Sequence, residues 1–117
     1  LASHQVGIAQ LAIEYCNALV EDQTLRDHIW PGFPFGASAL SAFDTSPERD
    51  SIFVPLLTRA MGTGLTSQPD EAAVRTELDN LVIDLTACGG ACAADRTKTV
   101  VKAACAATIG SAVTLVQ

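Results

Sequence analysis

The chain has 117 residues, 49% of them hydrophobic and only 17% charged, so it reads as one domain with a small ordinary core and not as a disordered tail. Its formal net charge of −6 disfavours nucleic acid and anionic membrane surfaces as partners. The longest charge-free run follows Lys102 and falls short of the ~18–20 apolar residues that cross a bilayer, so it reads as a buried helix.

A first helix is predicted from about Ser3 to Asp22. Val6, Ala9, Ile13, Cys16 and Val20 recur at spacings of three and four, and a second stripe of Ile8, Ala12, Tyr15 and Leu19 runs beside them. Together they predict a wide buried face opposite a narrow polar one of Ser3, Gln10, Glu14, Asn17 and Glu21.

Between Gln23 and Asp44 the pattern breaks, because Pro31, Gly32, Pro34 and Gly36 forbid a long helix. Short helical turns are expected at Leu25–His28 and Ala37–Ala42. The loop also gathers Trp30, Phe33, Phe35 and Phe43, the only Trp and three of the four Phe. Aromatics in a stiff loop either plug the open end of a bundle or form a contact surface. These four are the candidate partner-binding residues, with Trp30 or Phe33 expected to touch a neighbouring chain or domain.

A second main helix is announced by Ser46-Pro47-Glu48, with Ser46 as N-cap and Pro47 at the first helical position. It runs to about residue 62, carries Ile52, Phe53, Leu56, Leu57 and Met61, and ends at Gly62 or Gly64. Pro55 inside it is expected to kink or split it near Phe53. A third helix, about 70–87, opens at Ser67, Pro69 and Asp70 and buries Val74, Leu78, Leu81 and Leu85. Gly89-Gly90 stops it. A fourth, about 95–116, buries Val101, Cys105, Thr108, Ala112 and Val116, and its Ala103, Ala106, Ala107, Gly110 and Ser111 let neighbours come close. No strand-like alternation and no repeat is visible. The expected fold is all-α: a single domain over 1–117, a four-helix bundle stapled by two disulfides, with the Pro/Gly/aromatic-rich loop between helices 1 and 2.

Four cysteines, Cys16, Cys88, Cys92 and Cys105, carry the remaining chemistry. Structural zinc would want two short pairs, and only Cys88-x₃-Cys92 exists. A c-type haem site would want C-x-x-C-H, but Ala93 follows Cys92. Non-covalent haem would need axial ligands from His4, His28 or Met61, which have no shared helical spacing. Two disulfides in an oxidising compartment are the better reading. If helices 1 and 4 pack antiparallel, Cys16 meets Cys105 and Cys88 closes on Cys92 across the Gly-Gly turn. The rival pairing is Cys16–Cys88 with Cys92–Cys105, and four free buried cysteines in a cytosolic bundle is the third possibility.

No nucleophile–base arrangement, P-loop or H-E-x-x-H motif occurs, so no catalytic residue and no cofactor is assigned. Carboxylates such as Glu14, Glu21, Asp79 and Asp84 read as solvated surface, and the basic cluster Arg96, Lys98 and Lys102 is balanced by acids earlier in the chain. The chain begins at Leu1, which reads as a processed product or a piece of something longer.

The stretches LASHQVGIAQLAIEYCNALVED and TKTVVKAACAATIGSAVTLVQ resemble helical regions of large secreted proteins of marine gammaproteobacteria that carry LamG-like jelly-roll domains. The resemblance covers both ends of the chain, Cys16 and Cys105 included. It implies an extracellular or cell-surface setting (a periplasmic one is also open), a modular parent and no catalytic role for any residue. The expected function is a non-enzymatic, disulfide-stabilised module for assembly or partner binding, by protein docking or self-association. The alternative is a small helical carrier of an apolar ligand or non-covalent haem.

Overall fold

The computed structural model describes residues 3–61 and 71–114. Six helices and no strand occur among them: α1 (Ser3–Glu21), α2 (Gln23–Ile29), α3 (Ala39–Ala42), α4 (Ser46–Met61), α5 (Glu71–Thr86) and α6 (Arg96–Thr114). The expected stops at Gly62 or Gly64, the start at Ser67 and Pro69, and Val116 lie outside the described residues. So do the side chains of His4, Val6, Ile8, Met61 and Ala112.

Local chemistry sets the boundaries. Asp22 separates α1 from α2 by accepting the Leu25 N–H on its carboxylate at 3.1 Å, an N-cap that starts a new helix at once. Ser38 caps α3 in the same way through the Ser41 N–H. The cap of α4 is Thr45, not Ser46. The Glu48 N–H donates to Thr45 Oγ1 at 3.4 Å, and Glu48 Oε1 accepts from the Thr45 N–H at 3.0 Å. This is a reciprocal capping box, spelled T-x-x-E in the sequence.

Pro55 does not split α4, which continues through it from Ser46 to Met61. A proline in a helix removes one donor and pushes nearby carbonyls of the preceding turn aside. Here the indole Nε1 of Trp30 donates to the Ile52 carbonyl at 3.2 Å, three residues before the proline. An outside donor thus supports the weakened turn.

α6 is the central helix, packed against α1, α5, α4 and α3. Val100, Val101, Ala104, Cys105 and Thr108 are buried along it, as small residues facing several neighbours should be. α1 runs antiparallel to α6: Cys16 bonds to Cys105 with their Cα atoms 5.8 Å apart, and Glu21 reaches Lys102 at 2.6 Å. α4 and α5 are tied near the start of α4 by Arg49–Asp79 at 2.5 Å and Arg75–Asp50 at 2.6 Å. The buried Thr97 hydroxyl donates to the Ala37 carbonyl at 2.6 Å and so fixes the crossover loop to the start of α6.

Two predicted faces shift. On α5 the buried residues are Val74, Leu78 and Val82, with Leu81 and Leu85 half-buried beside them. On α1 the buried residues among the described side chains are Ala12, Cys16, Leu19 and Val20. Ala9, Ile13 and Tyr15, expected inside, are exposed. Among the described residues α1 packs chiefly on α6 and α2, so one arc of its wide apolar surface is covered while Leu11, Ile13 and Tyr15 stay exposed.

Candidate functional site

Pro31-Gly32 forms the turn of the aromatic loop. Proline supplies the fixed φ, Gly32 takes φ +80°, and the Phe33 N–H donates back to the Trp30 carbonyl at 3.3 Å. The turn folds the loop onto the bundle. Trp30 is 2% exposed, and Phe35 and Phe43 are buried with it. Their rings meet edge-on or tilted: Trp30–Phe35 at 6.0 Å, Phe33–Phe35 at 4.9 Å and Phe33–Phe43 at 5.4 Å between centroids. The Arg26 guanidinium lies 5.1 Å from the centroid of Phe35 and donates to the Val20 carbonyl, closing the outside of the cluster.

This arrangement corrects the contact-surface expectation for Trp30, Phe35 and Phe43. They are core, and they plug the end of the bundle. Phe33 alone stays half-buried, in the wall of an open cavity of about 350 Å³ with Pro31, Pro34, Pro55 and Glu48. The Glu48 carboxylate there is already engaged by Thr45.

All four cysteines are bonded, as Cys16–Cys105 and Cys88–Cys92. The shorter bridge spans the turn in which Gly89 takes φ +71°. Neither bridge leaves a thiol for metal or redox chemistry. Among the described residues no three His, Cys, Asp or Glu side chains converge as a metal site would require, and His28 is exposed in the last turn of α2. No helix of the described residues is long and apolar enough to cross a membrane.

The unpredicted features lie on α1 and beside it. Leu11 is 66% exposed, Ile13 59% and Tyr15 58%, three large apolar side chains within five positions. Leu11 and Tyr15, four residues apart, share one face of the helix. Next to Tyr15 an apolar groove of about 240 Å³ opens where α1 and α4 flank α6. It is lined by Tyr15 and Leu19 of α1, Ile29 of α2, Leu56 and Arg59 of α4, and Cys105 and Ile109 of α6. Among the described residues its lining includes no His or Met that could serve a haem. The apolar pattern places Ile13 and Tyr15 inside and assigns Leu11 to neither stripe, because an almost all-apolar helix does not say which of its sides is covered.

Electrostatics elsewhere are those of a fastened surface. Glu21 accepts from Lys102 at 2.6 Å and has Lys98 at 3.9 Å. The Lys102 hydrogen bond, then the charges of Lys102 and Lys98, hold its carboxyl below the usual value near 4.5. Asp79 is paired with Arg49, whereas Glu14 and Asp84 are exposed. No protein-family model, curated protein or solved structure matches this chain.

Proposed function

We propose that the chain is a non-enzymatic, disulfide-stabilised helical module that docks a protein partner within an extracellular or cell-surface protein. The observation that carries this reading is the exposed apolar face of α1 on which Leu11 and Tyr15 lie side by side, 66% and 58% exposed, with Ile13 exposed on the other flank of the helix. A cluster of large apolar side chains left open on a small domain marks an interaction surface. The Cys16–Cys105 bridge fixes α1 to α6 only one to two turns away, so the face is ordered before any partner arrives. Pre-ordering lowers the entropy cost of association. Two disulfides, with every cysteine used, fit an oxidising compartment, in keeping with the secreted setting that the sequence resemblance implies.

The test is a photo-crosslinking residue at position 11, compared with the same residue at exposed Thr99 on α6. Position 11 is expected to capture a discrete protein species, a second copy included, well above the yield at position 99. Equal or absent capture at the two positions would overturn the proposal.

A further inference from the structure

Seven cationic side chains serve this acidic chain, and six have partners within it. Arg26 donates to the Val20 carbonyl, Arg96 to the Leu85 carbonyl and Arg49 to Asp79. Arg75 pairs with Asp50, and Lys98 and Lys102 pair with Glu21. Arg59 is the seventh, and among the described residues no acid or carbonyl meets it. Among the described residues it is also the only charged one lining the groove between α1 and α4.

A chain with a net charge of −6 has carboxylates to spare. Among the described residues, one guanidinium without an acid partner in the lining of an apolar groove therefore makes a local positive end to an otherwise uncharged slot. That is the complement of a molecule with an apolar tail and an anionic head. The volume narrows the class. About 240 Å³ is below the ~300–1,000 Å³ of pockets for drug-sized ligands. At roughly 30 Å³ per small group it holds about eight methylene-sized units. It is too small for a haem. We infer that this groove binds a free medium-chain carboxylate amphiphile of about eight to ten carbons. The tail lies over Ile109 and the Cys105 end of the disulfide, between Leu19 and Leu56, and the carboxylate pairs with Arg59. The guanidinium fork suits a carboxylate through two parallel N–H donors. Tyr15 stands at the groove wall, one turn from Leu11, but the site does not depend on protein docking at the α1 face.

The test is a backbone amide NMR titration of the ¹⁵N-labelled chain with sodium hexanoate, octanoate, decanoate and dodecanoate, each below its micelle concentration. Saturable shifts are expected at Tyr15, Leu19, Ile29, Leu56, Arg59 and Ile109. Affinity should rise about fourfold per added methylene up to decanoate and level off at dodecanoate, where the tail outgrows the groove. Arg59→Gln should weaken decanoate roughly fivefold and leave decanol unchanged, and Arg59→Lys should restore most of the loss. Decanol binding as well as decanoate in the parent chain overturns the role of Arg59. Absence of saturable shifts, or shifts centred on other residues, overturns the site itself.

Discussion

Trp30 is both filler and donor, and two substitutions separate those roles. Trp30→Ala empties the plug and is expected to cost about 3–5 kcal/mol, the range for large buried aromatics. Trp30→Phe keeps most of the ring but leaves the Ile52 carbonyl without its indole partner, and should cost about 1–2 kcal/mol. Urea denaturation of the three proteins measures both. Two variants within half a kcal/mol of the parent would mean that the loop is not holding the bundle closed. The sequence showed the aromatic cluster and its rigid Pro-Gly frame. It did not show the direction in which the rings face, because that depends on Ile52 offering a carbonyl beside Pro55, a meeting across 22 positions of chain.

At the scale of helices, caps and periodicity found most of the architecture. The main helices begin and end within a few residues of where Asp22, Thr45, Gly89 and their neighbours dictate. The N-cap of α4 lies one residue before Ser46 because Ser46 and Thr45 are both good caps, and only the reach of Glu48 back to Thr45 decides between them. The covered side of α1 is ambiguous in the sequence for a different reason. With apolar residues almost all round, its periodicity has no single direction, and the covered arc is chosen by what packs against it. The fastening of α1 to α6 carries a pH signature. The folded-state pKa of Glu21 is depressed, so its contribution is present above the usual value near 4.5 and is lost as pH falls through the folded value. Lys102→Gln is therefore expected to flatten the acid side of the melting-temperature profile below pH 4.5 and change little at pH 7 in high salt, since the pair is exposed and screened. An acid limb unchanged by the substitution would assign that limb to other groups.

For the molecule as a whole, the two bridges are unequal. Cys16–Cys105 joins residues 89 apart, whereas Cys88–Cys92 joins residues 4 apart. In the chain-entropy model the long closure stabilises by about 4–5 kcal/mol and the short one by about 2 kcal/mol. Cys16→Ala/Cys105→Ala should thus lower stability roughly twice as much as Cys88→Ala/Cys92→Ala, measured by denaturant midpoints at constant slope. Equal losses would show that strain or residual structure in the unfolded chain governs both. The all-α class and the two staples were legible from pattern and cysteine arithmetic. The groove beside Arg59 was not, since it is assembled from α1, α2, α4 and α6, and no one segment announces it.

The long bridge also decides how the domain answers tension. If the chain is pulled from the two sides of residues 16 and 105, the force runs from Cys16 through the sulfur atoms to Cys105 and bypasses everything between. Those intervening residues would otherwise unspool to a contour of roughly 300 Å, at about 3.3–3.6 Å each. While the bond is oxidised that length is locked away, and α2 to α5, with the aromatic plug, feel no direct pull. Between those two points the domain is a short, nearly inextensible link whose hidden slack is released only by a reductant.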